Sequence, residues 1–218
     1  MPKKQIVKNL IDILMMVSVI LLMSYALIGE KNHEIVGVTM FALFIVHHVF
    51  NWTWIKNIGK GKYTPFRKIQ TWMVILIFVC MILQMLSAIV ISKHILTFIG
   101  LPISVSFARI IHMLGAYWGF VLMSVHMGLH LNAMMAMMGK RKEKSALLKI
   151  LLKGVGFLII AYGLYAFIKR NILSYMFVQN MFVYFDMDEP RVFFFLDYVA
   201  IMGAFAGIGH YVAKRIKG

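Results

Sequence analysis

The stretch that decides the fold is ARIIHMLGAYWGFVLMSVHMGLH, residues 108–130. It is an apolar run of membrane-spanning length with one cation near its start and three histidines. Two of these, His112 and His126, are fourteen positions apart. In a helix, fourteen residues rise about 21 Å and return to within about 40° of the starting direction. The stretch therefore predicts a transmembrane helix that presents imidazoles on one face at two depths.

A second stretch repeats the interval. HEIVGVTMFALFIVH, residues 33–47, begins with His33 and ends with His47, again fourteen positions apart. Ionisable groups inside hydrocarbon cost several kcal/mol and tend to mark function rather than packing. Two matched pairs of imidazoles indicate two metal centres.

The composition is that of a membrane protein, because 61% of the 218 residues are hydrophobic and only 14% are charged. We predict an all-α protein with six transmembrane helices, since only helices and closed barrels satisfy the backbone in lipid. The predicted spans are residues 9–29, 33–55, 69–91, 108–138, 147–168 and 192–213.

Lys and Arg outnumber Asp and Glu by 23 to 8, and the position of these cations explains the excess. They concentrate in the N-terminal tail, the second and fourth connections and the C-terminus. With six spans these regions share one side, so the positive-inside rule predicts both termini in the cytoplasm of a multi-pass cell-membrane protein. The basic excess thus reflects topology and contact with the bilayer, and nucleic acid is not an expected partner.

The first apolar segment has features of a signal peptide. Lysines, an apolar run and Ser24-Tyr25-Ala26 resemble a signal peptide, but we expect this long first segment to be retained as a helix.

We predict a four-helix cofactor-binding bundle over residues 1–138. Residues 139–218 would add helices five and six, with an aromatic interfacial segment at 171–190 on the extracytoplasmic side. The one cysteine, Cys80, excludes a disulfide within the chain.

Topology predicts how the histidines meet. Spans two and four run in the same direction and are diagonal neighbours in an up-down-up-down bundle, where bundles build cofactor sites. His33 is then expected to face His112 at an outer level, and His47 to face His126 at an inner level. Two imidazoles on opposite sides of one porphyrin form a bis-His haem, which favours electron transfer because it leaves no open position. The expected cofactors are two haems b.

Other residues near the outer level suit a haem pocket. Gly37, Gly115 and Gly119 lie within two turns of the outer histidines and would clear space for the macrocycle edge. Arg109, one turn before His112, is a candidate partner for a haem propionate, although a cation at the interface also fits a snorkelling side chain.

The inner level leaves an alternative open. His130 lies one turn below His126 and shares its face, so it is an alternative ligand or a propionate partner. Asn51 and Lys56 are weaker propionate candidates, and His48 is expected to face another helix or lipid. No acidic residue is expected at this depth, which argues against a carboxylate-rich metal site.

Two histidines lie outside both levels. We interpret His94 and His210 as ordinary interfacial residues, with proton handling at a quinone pocket as the alternative. Methionines scattered through the spans are interpreted as flexible core filling.

The arrangement resembles the flavinylation-associated cytochromes, small dihaem b-type membrane cytochromes formerly grouped as a domain of unknown function. The resemblance covers about residues 8–138 and rests on the following features: His33 opening span two, His47 fourteen residues later, and the motif His112-x13-His126-x3-His130. Similar spacing recurs in quinol-oxidising cytochromes b, formate dehydrogenase and hydrogenase membrane subunits, and ferric reductases.

The resemblance implies transmembrane electron transfer from the quinol pool, with quinone as a mobile substrate, to an extracytoplasmic flavin-bearing or other redox protein. No residue is assigned a catalytic role. The chain has no nucleotide-binding glycine motif, which favours a relay with separate partners. The alternatives are a membrane subunit of a quinone-linked dehydrogenase, a ferric reductase-like protein, a haem-free scaffold, and a metal-ion transporter that uses the histidines.

Overall fold

The computed structural model describes residues 3–137 and 145–217, without the side chains of residues 132–137, 146 and 149. Within these ranges the secondary structure is entirely helical. Six helices are long and apolar enough to span a membrane: α1 Lys3–Met23, α3 Glu30–Phe50, α5 Pro65–Ile91, α6 Val105–Met137, α7 Ala146–Lys169 and α9 Arg191–Lys217. Three are short: α2 Tyr25–Ile28, α4 Trp52–Lys56 and α8 Ile172–Met176. The prediction of an all-α, six-span membrane protein is confirmed.

The first turn between spans lies earlier than predicted. We expected the first span to end at residue 29, but α1 ends at Met23 and the hydroxyl of Ser24 donates to the Leu21 carbonyl at 2.7 Å. The short helix α2 follows, and Gly29 then turns the chain into α3 with φ +81°, a conformation that glycine adopts without strain. Because of this turn, α3 begins at Glu30, one helical turn before His33.

A carboxylate on α3 organises the connection between α5 and α6. Glu34 accepts hydrogen bonds from the hydroxyl of Ser92 at 2.7 Å and from the backbone N–H groups of residues 93, 94 and 95 at 2.8–3.1 Å. Nearby, the Lys93 ammonium lies 2.7 Å from Glu30, and this hydrogen bond raises the pKa of Lys93. The start of α3 is therefore tied to the end of α5, so both contribute to one end of the bundle.

Close packing joins α6 to α9. A Cβ on Gly128 of α6 would fall on the backbone of Ala206, and a Cβ on Gly209 of α9 would fall on the Val125 carbonyl. Helix α6 also packs along α5, and α7 packs along α9. The predicted division between residues 138 and 139 falls outside the described residues and stays a prediction, but the core shared by α6 and α9 connects its two parts.

The segment after α7 packs against one end of α6. Ile172, Tyr175 and Met176 of α8 are buried, and the Tyr175 ring stacks on Tyr117 of α6 at 5.0 Å. The indole N–H of Trp118 donates to the Met176 carbonyl at 2.8 Å. Together these contacts fix α8 against α6.

An ion cluster at the same end contains a fully buried carboxylate. Asp197 of α9 is 0% exposed and accepts hydrogen bonds from Tyr162 at 2.5 Å, Lys169 at 3.0 Å and Arg170 at 2.8 Å. Glu189 lies 2.6 Å from Arg170 and 3.3 Å from Lys169. These charges come from α7, α9 and the connection between them, and they converge on one buried group only in the folded chain.

Candidate functional site

The outer level brings together the two histidines predicted to meet there. His33 of α3 and His112 of α6 have ring centroids 6.2 Å apart, with planes inclined by 63°. Tyr25 of α2 packs edge-on against His33 at 5.1 Å. The backbones of α3 and α6 do not pack closely along their length, so these side chains approach each other across a gap between the two helices.

Helix α5 holds the ring of His112 through both nitrogens. The Ser87 hydroxyl donates to the Gln84 carbonyl at 2.9 Å, so its oxygen is free to accept a hydrogen bond from His112 Nδ1–H at 3.1 Å. The amide nitrogen of Gln84 lies 3.1 Å from His112 Nε2. This network assigns the proton to Nδ1 and leaves a lone pair on Nε2, the form of imidazole that ligates a metal.

A glycine makes room for that amide. A Cβ on Gly115, one turn after His112, would fall on Gln84 Oε1, and this oxygen is buried without a hydrogen-bond partner. Cβ atoms on Gly37 and Gly119 would instead make ordinary contacts at 3.9 Å and 3.7 Å. Of the three glycines predicted to clear space, only Gly115 leaves room that a side chain of another helix fills, namely the amide of Gln84.

The spacing of the outer pair fits bis-His ligation of one metal. Imidazole nitrogens bind metals at about 2 Å, which places the centroids of two opposed rings about 6 Å apart. The observed 6.2 Å matches that value. In addition, Nδ1 of His33 is buried without a partner, so the ring carries unused hydrogen-bonding capacity.

The inner level contains a carboxylate, and our expectation that no acidic residue lies at this depth was wrong. Asp12 of α1 places Oδ1 2.8 Å from Nδ1 of His47. Asn51, one turn after His47, places its amide nitrogen 3.2 Å from Nε2 of the same ring. Asp12 was overlooked because it is a single charge in the middle of an apolar span, and only the packing of α1 against α3 shows its partner.

Two histidines of α6 lie at this level. His126 and His130 have ring centroids 4.7 Å apart. His126 Nδ1 is buried without a partner, whereas His130 Nε2 lies 3.4 Å from the amide nitrogen of Gln70. The choice of His126 over His130 as inner ligand therefore stays a prediction.

Helix α5 carries a third copy of the fourteen-residue interval. Gln70 and Gln84 are fourteen positions apart, and each directs its amide towards a histidine of α6. Because α5 and α6 are antiparallel neighbours, Gln84 lies at the outer level and Gln70 at the inner level. Neither glutamine was predicted as part of the site, although the repeated interval was a usable signal.

Three other candidates occupy peripheral positions. Arg109 is exposed on α6, one turn before His112, and its predicted role at a propionate stays a prediction. Lys56 lies over the Trp52 ring, 5.8 Å from its centroid. His48 bonds the Phe44 carbonyl at 2.8 Å and packs against Phe78 of α5 at 5.5 Å, so it faces another helix as predicted.

Of the two remaining histidines, His94 lies in the connection after α5, whereas His210 of α9 lies at the depth of His126, because the neighbouring Gly209 abuts the Val125 carbonyl. His94 is exposed, with Nε2 3.8 Å from Glu30, which suits an interfacial residue. His210 packs against Tyr211 at 5.5 Å and has a buried Nδ1 without a partner.

The described residues contain no group of three or more His, Cys, Asp or Glu side chains arranged to hold a metal ion by themselves. A haem needs only two protein ligands, because the porphyrin supplies the other four. The paired geometry is therefore compatible with haem. No family model, curated protein or solved structure matches the chain.

Proposed function

We propose that the protein transfers single electrons across a cell membrane through two b haems, one held at each level between α3 and α6. The observation that carries this proposal is the outer pair, where the rings of His33 and His112 lie 6.2 Å apart between centroids, close to the separation of two imidazoles that bind one metal. The expected ligands are His33 and His112 at the outer level, and His47 and His126 at the inner level, with His130 as the alternative.

The protein's contribution is to orient its ligands and exclude water. A bis-His haem supplies a reversible one-electron centre without an open coordination position. Ser87 and Asp12 each hold the Nδ1 side of a histidine, which directs the Nε2 lone pair away from them. Such partners commonly orient metal-binding histidines and tune their strength as ligands.

An apolar layer lies between the two levels. Met40 and Phe44, which lie between the two histidines of α3, are 2% and 4% exposed. They join one core cluster with Ile77 and Met81 of α5. A dry layer of this kind separates the two sites from each other and from water. The fourteen-residue interval, about 21 Å along a helix, spans most of a hydrocarbon core roughly 30 Å thick.

The partners follow from the predicted orientation and from the resemblance to flavinylation-associated cytochromes. Both termini would be cytoplasmic, which the basic ends and connections support. The donor would then be the quinol pool, and the acceptor an extracytoplasmic protein that carries covalent flavin or another redox group.

The test is the visible spectrum of the purified chain together with its haem content. Reduction with dithionite should give a sharp α band, and extraction should yield two haems per polypeptide. A matched control is His94→Ala, which removes an exposed histidine outside both levels and should keep both haems. A colourless wild-type chain obtained from haem-replete cells would contradict the proposal.

Metal-ion transport is the second candidate, and Asp12 is the observation that favours it. A carboxylate beside His47 gives the inner level the mixed oxygen and nitrogen donors that divalent ions accept. In this case vesicles containing the chain should show metal-dependent flux that Asp12→Asn abolishes, and the protein should show no α band. The two functions therefore differ in both spectrum and flux.

A further inference from the structure

We infer that Asp12 is a positioning residue that makes the inner level the more reducing of the two. The inference rests on the proposed function and adds to it an order of potentials and a direction of transfer. The hydrogen-bond networks around His47 and His112 have the same layout but differ in charge.

In both networks the histidine has the same tautomer. At the inner level Asp12 faces Nδ1 of His47 and an amide of Asn51 faces Nε2, at 2.8 Å and 3.2 Å. At the outer level Ser87 faces Nδ1 of His112 and an amide of Gln84 faces Nε2, both at 3.1 Å. A carboxylate accepts from Nδ1–H, and the Ser87 oxygen does the same because its own proton is given to the Gln84 carbonyl. Each ring thus carries its lone pair on Nε2, which accepts from an amide and which a bound metal would take instead.

The two networks differ in the acceptor at Nδ1. A carboxylate is an anion, whereas a serine hydroxyl is neutral. A histidine that donates to a carboxylate is a more basic ligand, and nearby negative charge stabilises the more positive, oxidised metal. The outer level also has a carboxylate, Glu34 next to His33, but its hydrogen bonds go to Ser92 and to the backbone of residues 93–95 and not to an imidazole. Only the inner level has an anion bonded directly to a ligand ring, so it should have the lower midpoint potential.

Cations near the inner level weaken this effect without cancelling it. The nearest one identified beside the α6 histidines is Lys217, which is exposed and held 3.8 Å over the Phe66 ring. Water and salt screen such a surface charge. By contrast, the Asp12 and His47 side chains are 35% and 29% exposed and in direct contact, so their interaction is partly shielded.

The order of potentials sets a direction. With haems held by His47 and His112, the carboxylate of Asp12 would favour passage of one electron from the inner level, which would be oxidised, to the outer level, which would be reduced. No bond forms or breaks and no proton moves. This is the direction that an acceptor outside the membrane requires.

The experiment measures each level by itself. His33→Ala should leave only the inner centre and His47→Ala only the outer one, and potentiometric titration should give the lower midpoint for His33→Ala. Asp12→Asn in the His33→Ala background keeps an acceptor but removes the charge, so the midpoint should shift upwards. Asp188→Asn, an exposed carboxylate elsewhere, should cause no shift in that background. A higher inner midpoint, or one that Asp12→Asn leaves unchanged, would overturn the inference.

A second measurement needs no haem. Nitrogen-15 NMR of histidine-labelled, haem-free protein should show His47 protonated at Nδ1, with the signal assigned by its loss in His47→Ala. Asp12→Ala should convert it to a mixture of tautomers, and an unchanged signal would show that Asp12 does not position the ring. Failure of the proposed function would instead appear as a colourless wild type, whereas two haems with an unmoved inner midpoint overturn this inference alone.

Discussion

His33 and His112 face each other with ring centroids 6.2 Å apart, although the backbones of the helices that carry them do not pack closely along their length. Two imidazoles that meet across such a gap are unusual as simple packing partners, because Nδ1 of His33 is buried and has no hydrogen-bond partner. The outer pair is therefore the most direct place to test the proposed function.

Substitution of either outer histidine should remove one haem and leave the other. We expect His33→Ala and His112→Ala each to lose one of two haems per chain, because a single imidazole cannot complete the bis-His set. Haem extraction and the amplitude of the reduced α band measure this loss. Two haems in both variants would exclude the outer pair as ligands.

The inner ligand is decided by a pair of variants on one helix. His126→Ala should lose the inner haem, whereas His130→Ala should retain it with an altered spectrum, since His126 and not His130 repeats the fourteen-residue interval. Haem content measured beside that of His47→Ala identifies the partner. If His130→Ala loses the haem and His126→Ala keeps it, the assignment moves to His130.

The close contact of α6 and α9 predicts opposite effects of one substitution at two glycines. Gly128→Ala places a methyl group on the Ala206 backbone and should cost about 1–3 kcal/mol of stability through overpacking. Gly154→Ala on α7 has no neighbour within 4 Å and should be neutral or stabilise by about 0.5–1 kcal/mol. Thermal unfolding in detergent compares them, and equal unfolding temperatures would contradict the packing described.

Removal of the buried charge of Asp197 should destabilise the outer end. Asp197→Asn leaves Lys169 and Arg170 with Glu189 as their remaining acidic partner, and we expect a loss of about 1–3 kcal/mol because Lys169 is partly solvated. The matched change Asp188→Asn affects an exposed carboxylate and should alter stability by less than about 0.5 kcal/mol. Thermal unfolding with haem content as a folding control measures both.

The spans and the outer pair were predictable because they depend on local periodicity. Runs of apolar residues identify membrane helices by length alone, and a fourteen-residue interval keeps His112 and His126 on one side of a helix whatever surrounds it. Topology then brought His33 to His112, since spans two and four must run in parallel.

The polar partners of the histidines were not predictable because they depend on register between helices. Asp12 reaches His47 only when α1 and α3 pack at a particular offset, and Gln84 reaches His112 only across the antiparallel α5–α6 pair. A glutamine in an apolar span gives little signal in the sequence. The role of Gln84 is recognised only from its contact with the imidazole of His112.

The histidines of α6 lie on one uninterrupted helix of 33 residues, Val105–Met137, and this helix fixes the distance between His112 and His126. Insertions in the connections leave the interval between the two levels untouched, however long they become. A single residue inserted between His112 and His126 would lengthen it by about 1.5 Å and swing the lower ring by about 100° away from its partner. If the two levels hold haems as proposed, such an insertion would change both the distance between them and the geometry of the lower ligand.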